Sequence, residues 1–144
     1  MNIHIGADHA GFELKNKLVE YLNELGHEIT DHGAFLFDPN DDYPDFITPV
    51  AHAVSMGTNS FGIILGGSGQ GEMMCAHKIS GIRAGVYYGG DLAIVRLLRE
   101  HNNANILSIG ARFVTDDEVF AAVKVFLETE FSSDERHVRR INKF

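Results

Sequence analysis

Apolar and polar positions along this chain fall into short blocks of two alternating kinds, and the two kinds predict strands and helices in turn. Asn2 to Gly6 and Phe61 to Leu65 are compact apolar stretches with the length and character of buried strands. Between them, Phe12 to Leu25 sets Leu14, Leu18, Tyr21, Leu22 and Leu25 on one helical face, and Gly26 supplies the stop. Glu28 to Gly33 reads as a second strand. A turn-rich connection from Ala34 to Tyr43, containing Asp38-Pro39-Asn40-Asp41-Asp42, leads to Pro44, which opens a helix from Asp45 to about Met56. After the third strand the pattern predicts a helix from Glu72 to Ile79, a strand from Ile82 to Tyr88, a helix from Asp91 to Glu100 and a fifth strand from Ile106 to Gly110. Thr115, followed by acids, caps a long helix to Phe131, and the polar, basic tail from Ser132 to Phe144 is expected to be helical from Asp134.

This alternation implies an α/β fold with a mainly parallel, five-stranded sheet covered on both faces, and such sheets bind ligands beyond the carboxyl ends of their strands. The segments that follow the first, third, fourth and fifth strands are Ala7-Asp8-His9-Ala10-Gly11, Gly66 to Gly71, Gly89-Gly90-Asp91 and Gly110-Ala111-Arg112. Polar residues and glycines therefore gather on one rim. Asp8 also reads as an N-cap of the first helix, and His101-Asn102-Asn103 as a polar helix end with a favourably placed cation.

Composition narrows the picture. A chain of 144 residues, 44% hydrophobic and free of linkers, repeats and low-complexity tracts, fits a single domain over 1–144. A net charge of −8 argues against nucleic acid or an anionic membrane as the main partner, and any anionic ligand needs local cations. No secretory signal and no membrane-length apolar run is present, and the single cysteine, Cys75, makes no internal disulfide, so a cytoplasmic location is expected.

The richest chemistry lies in Phe61-Gly-Ile-Ile-Leu-Gly-Gly-Ser-Gly-Gln-Gly-Glu72, a strand, a glycine-rich loop and a helix start. Gly67, Gly69 and Gly71 let backbone N–H groups converge on an anion, while Ser68 and Glu72 add a hydroxyl and a carboxylate to the same small space. Gly66 to Gly71 has the spacing of an NTPase phosphate loop, but Glu72 and Met73 stand where lysine and serine or threonine are required. The glycines also lack the dinucleotide spacing, so nucleotide binding is disfavoured.

Seven motifs occur in order: Gly6-Ala7-Asp8-His9-Ala10-Gly11-Phe12, Asp42-Tyr43-Pro44, Gly66-Gly67-Ser68-Gly69-Gln70-Gly71, Gly81-Ile82-Arg83-Ala84, His101-Asn102-x-Ala104-Asn105, Gly110-Ala111-Arg112 and Arg136-His137-x-x-Arg140. Together they resemble the ribose-5-phosphate isomerase type B family, which includes the galactose-6-phosphate isomerase subunits, over nearly the whole chain. The resemblance implies a Rossmann-like three-layer α/β/α sandwich, no metal or organic cofactor, and active sites shared between the subunits of a homodimer, with further pairing into tetramers left open. The implied reaction interconverts ribose 5-phosphate and ribulose 5-phosphate through an enediolate. A hexose 6-phosphate (allose or galactose) isomerase and a non-catalytic sugar-phosphate binding protein are the alternatives. A binder has no use for Glu72, Ser68 and His101 together, which argues against the last.

The resemblance also implies roles. Glu72 with Ser68 matches the family branch that uses glutamate as carbon base, and Gly66 stands where another branch has its catalytic cysteine. Cys75 does not align with that cysteine and is expected to be a buried helix residue. His101 matches a ring-opening histidine, Asn102 and the loop amides of Gly67, Gly69 and Gly71 match enediolate donors, and Asp8 and Tyr43 match sugar contacts. His9, Arg112, Arg136 and Arg140 match a phosphate clamp, a task suited to bidentate guanidinium groups. Arg139 is expected to be solvated. His4, His27, His32, His52 and His77 show no zinc-ligand spacing and are expected to be structural or exposed.

Overall fold

A computed structural model describes residues 1–144. Its elements are β1 (Asn2–Ala7), α1 (Phe12–Glu24), β2 (Glu28–Asp31), α2 (Pro44–Met56), β3 (Ser60–Gly66), α3 (Gln70–Ala76), β4 (Ala84–Tyr87), α4 (Ala93–Asn102), β5 (Ile106–Gly110), α5 (Asp116–Glu128) and α6 (Glu135–Ile141). The five strands lie in the order β2-β1-β3-β5-β4, and every pairing is parallel. The expected α/β/α sandwich is thus present, with a wholly parallel sheet.

Side-chain alternation along the strands divides the interior in two. Ile63 and Leu65 join Ile3, Ile5, Leu107 and Ile109 in a core closed by Leu14, Leu18 and Leu22 of α1, Val95 of α4 and Val119, Val123 and Phe126 of α5. Ile64 and Ile106 point the other way, onto Ile47, Val50 and Val54 of α2 and Ala76 of α3. Residues one apart on a strand face opposite sides, so a central strand buried on both faces reads as a continuous apolar run.

Several boundaries differ from the expected ones for local reasons. Regular β2 ends at Asp31 rather than Gly33, yet the His32 and Ala34 N–H groups still bond to Ile5 and Ala7 of β1 around a left-handed Gly33. β4 begins at Ala84 rather than Ile82, because Gly81 and Arg83 are drawn aside by Asn105, whose side chain accepts from Arg83 N–H and donates to Gly81 O. α3 begins two residues before Glu72, at Gln70 after the left-handed Gly69, and ends at Ala76. α5 carries the expected Thr115 cap as a reciprocal capping box with Glu118, and stops at Glu128, where Thr129 turns its hydroxyl onto Val125 O.

The strand order matters for the site. β2 lies on one side of β1 and β3 on the other, so the connections leaving β1 and β3 diverge and open a crevice at their carboxyl ends. Helices of such a sheet run antiparallel to the strands, which puts the carboxyl end of α4, with His101 and Asn102, at the opposite rim where β5 begins.

Candidate active site

The crevice is built from the turn after β1 and the loop after β3. Asp8, buried at the end of β1, uses Oδ1 to accept from the Ala10 and Gly11 N–H groups at 2.9 and 3.3 Å. It holds the turn that leads into α1 but is not the expected N-cap: that position is Gly11, which has no side-chain cap. The other Asp8 oxygen faces His9 Nδ1 at 4.0 Å. Tyr43, Gly67, Ser68, Gly71, Glu72, Arg112 and Phe113 line a cavity of about 460 Å³. The rim brings in Arg112 beside Gly67, where an added Cβ would lie 3.3 Å from an Arg112 guanidinium nitrogen, and Tyr43 against Gly71. Gly69 has φ +76° and leaves no room for a Cβ beside Ile109 and Gly110. Ser108 Oγ donates to its carbonyl at 2.6 Å, fixing the loop on β5. At Gly69 this is a close approach of backbone that only glycine permits.

Glu72 is only 4% exposed. A Cβ on Gly66 would fall within the Glu72 carboxylate, so the glycine of β3 is what makes room for this acid. Burial pushes the Glu72 carboxyl above the ordinary glutamate range, its own backbone N–H partly opposes that, and the charge of Asp8 adds to the rise. A buried carboxylate with a raised pKa beside a hydroxyl and backbone donors is suited to taking a proton from carbon.

Asp41 is a site residue that the motif reading missed. Its Oδ1 accepts from the His9 backbone N–H at 3.1 Å and from His9 Nδ1 at 2.6 Å, while its Oδ2 is buried without a partner. A carboxylate only accepts, so Nδ1 of His9 carries the proton and Nε2 is left facing outward from the pair. The place of Asp41 in an Asp-rich turn gave no sign of that distant partner. Asp8, His9 and Asp41 place ligand atoms within 4.8 Å of one another, but the short His9–Asp41 contact is that of a direct hydrogen bond.

His101, Asn102, Arg136 and Arg140 are not brought to this cavity. They form a second group at the opposite rim, where α6 packs on α4 and Ser132 N–H donates to Glu100 O at 3.1 Å. Arg136 and Arg140 are exposed, as is Arg139. The Arg83 guanidinium donates to Asn102 O and Asn103 O and holds the end of α4. A larger cavity of about 590 Å³ near this end is lined by Arg96, Glu100, Glu128 and Glu130 among others, and three carboxylates make it unsuited to a phosphate. Cys75 is half-buried with Sγ 3.5 Å from Thr48 Oγ1, short of the full burial expected. His4 bonds His32, and His77 accepts from Ala84 N–H, in keeping with structural roles.

The family model for ribose/galactose isomerase matches residues 3–144. Ribose-5-phosphate isomerase B of Mycobacterium tuberculosis is 44% identical over 142 residues, covering 99% of this chain and 86% of the relative. A crystal structure of ribose-5-phosphate isomerase B from Mycoplasma genitalium with bound ribulose-5-phosphate superposes with a TM-score of 0.93 at 40% identity, covering 99% of this chain and 92% of that one. Ribose-5-phosphate isomerase B from Clostridium thermocellum gives 0.92 at 40% identity, over 99% and 94% of the two chains.

Proposed function

This chain belongs to the ribose/galactose isomerase family and is an aldose–ketose isomerase of sugar phosphates, and on that premise we propose that it interconverts ribose 5-phosphate and ribulose 5-phosphate with Glu72 as the carbon base. The observation that carries this reading is the buried Glu72 carboxylate in a crevice floored by Gly67, Ser68 and Gly71, with its pKa raised by burial. In the aldose direction the furanose C1–O4 bond breaks, O4 gaining a proton as the C1 hydroxyl gives one up. Glu72 then takes the C2 proton, and the electron pair moves to form a C1–C2 enediolate whose oxygens are held by loop N–H groups and Asn102. Glu72 returns the proton to C1, while Ser68 relays the hydroxyl proton from O2 to O1, leaving the ketose.

His101 serves ring opening, Asp8 and Tyr43 hold sugar hydroxyls, and His9, Arg112, Arg136 and Arg140 hold the phosphate. Because Glu72 and His101 stand at opposite rims of one sheet, the reading requires a homodimer in which each site takes its base from one subunit and His101, Asn102, Arg136 and Arg140 from the other. Exposed apolar side chains support such an assembly, among them Phe35-Leu36-Phe37 and Phe113. A coupled assay with ribose 5-phosphate and allose 6-phosphate side by side tests the function. Turnover of the pentose well above the hexose is the expected result; hexose preference overturns the substrate, and no turnover of either overturns the catalytic reading.

A further inference from the structure

Between the two arginines of α6, His137 turns inward. It is 4% exposed, and its imidazole lies flat on that of His101, with ring centroids 4.2 Å apart and planes 15° apart. Its Nε2 is buried without a hydrogen-bond partner, the Asp134 carboxylate being 3.9 Å away. Burial holds the imidazole below its ordinary pKa, with His101, Arg136 and Arg140 acting in the same sense against Asp134.

We propose that His137 is a positioning residue that fixes the plane of the His101 ring for sugar ring opening. Because it shares a short helix with Arg136 and Arg140, it also links phosphate capture to the attitude of His101. The inference rests on the reading of His101 as the ring-opening group. A stacked platform leaves the edge of His101, where both nitrogens lie, free to meet the sugar, while preventing the ring from tilting out of reach. Misalignment of an acid–base group by about 1 Å is enough to cost roughly a hundredfold in rate.

The test uses a chemical asymmetry between the two sugars. Ribose 5-phosphate closes to a furanose through O4, whereas ribulose 5-phosphate has its 5-hydroxyl esterified and is open-chain. Steady-state conversion of ribose 5-phosphate therefore includes ring opening. Single-turnover loss of ribulose 5-phosphate, with the full-length enzyme in excess, reads the carbon proton transfer before any ring closes. The readout is the ratio of the first rate to the second. In His137→Ala this ratio should fall about tenfold or more, and in His137→Phe, which keeps a stacked ring, it should recover to within about threefold of the unaltered enzyme. His101→Asn, measured alongside, should lower the same ratio. If His101→Asn lowers the ratio but His137→Ala does not, whether both rates fall together or neither moves, the positioning role is overturned. A phenylalanine variant as impaired in this ratio as the alanine one overturns the stacking explanation. An unchanged ratio in His101→Asn instead removes the ring-opening assignment itself, and the positioning role with it.

Discussion

Gly66→Ala is the substitution whose consequence follows most directly from the geometry. A Cβ added at this position would stand 2.7 Å from Oε2 of Glu72 and closer still to Oε1 and Cδ. Nonbonded carbon settles at roughly 3.5 Å from a neighbouring heavy atom, so one partner must move by about 1 Å or more. The strand cannot yield cheaply: Gly66 is in register with Gly110 of β5, and its carbonyl accepts from Ala111 N–H at 2.8 Å. The Glu72 carboxylate, at the end of a rotatable side chain, moves instead. A reacting group misplaced by about 1 Å loses roughly a hundredfold in rate, equivalent to about 2.7 kcal/mol of barrier. Substrate binding depends mainly on other groups, so kcat should fall about a hundredfold while KM stays within about threefold. Steady-state kinetics on ribose 5-phosphate read this directly, and thermal unfolding of the same sample shows whether the sheet is intact. A variant whose kcat lies within threefold of the unaltered enzyme would mean that the carboxylate does not act from its observed position.

The raised pKa of Glu72 puts the acid limb of kcat/KM above the ordinary glutamate value of about 4.3, since the base works ionised; a limb at or below that value contradicts the assignment. The same shift makes ionisation cost stability, so wild-type stability relative to Glu72→Gln should decline as pH rises from the unfolded glutamate value through the raised folded one, as denaturant unfolding at each pH would show. Glu72→Gln and His101→Asn, each strongly impaired alone on ribose 5-phosphate, should reach about a quarter of wild-type activity on that sugar when their subunits are exchanged, because half the dimers are mixed and one of their two sites is whole; no recovery despite subunit exchange refutes the shared site. Arg136→Ala should weaken ribose 5-phosphate binding by about 1.5–3 kcal/mol and have no such effect on ribose, and an equal proportional loss on both sugars removes Arg136 from the clamp. Cys75→Ala should leave turnover within about twofold, its thiol having only Thr48 Oγ1 at 3.5 Å; abolished catalysis with Glu72→Gln still active would transfer the base to the thiol.

Element order was legible because each strand and helix writes its burial into the chain: Phe61 to Leu65 is apolar at every position because β3 is the central strand, flanked by β1 and β5. Ends were less legible where a side chain far off in sequence takes over. Asn105 decides where β4 begins, through bonds to Gly81 and Arg83 that no window around Ile82 contains. At the site, the glycine loop and Glu72 carry their own local signal. Asp41 does not, because its task is to meet His9, and the two come together only when the loop after β2 folds back over the turn after β1. His137 stood in a recognisable motif, yet its contact with His101 depends on α6 docking on α4.

The division of charged groups between the two rims gives the proposed dimer a physical reason. The carboxyl rim of one subunit gathers Asp8, Asp41 and Glu72, and on its own it offers a phosphate only Arg112 and His9 against those acids. The whole chain carries a net charge of −8, so its general field repels a sugar phosphate as well. Arg136 and Arg140 stand exposed on the opposite rim, on the helix that packs beside His101 and Asn102. On the proposed reading, a partner subunit that covers the acidic crevice with this end would bring charge compensation, ring-opening acid and enediolate donor in one step. It also shields the buried carboxylate from water, strengthening each of those interactions by lowering the local dielectric. On the proposed reading the crevice of an isolated subunit holds the base and Arg112 but lacks Arg136, Arg140 and His101, so catalysis should appear only with assembly.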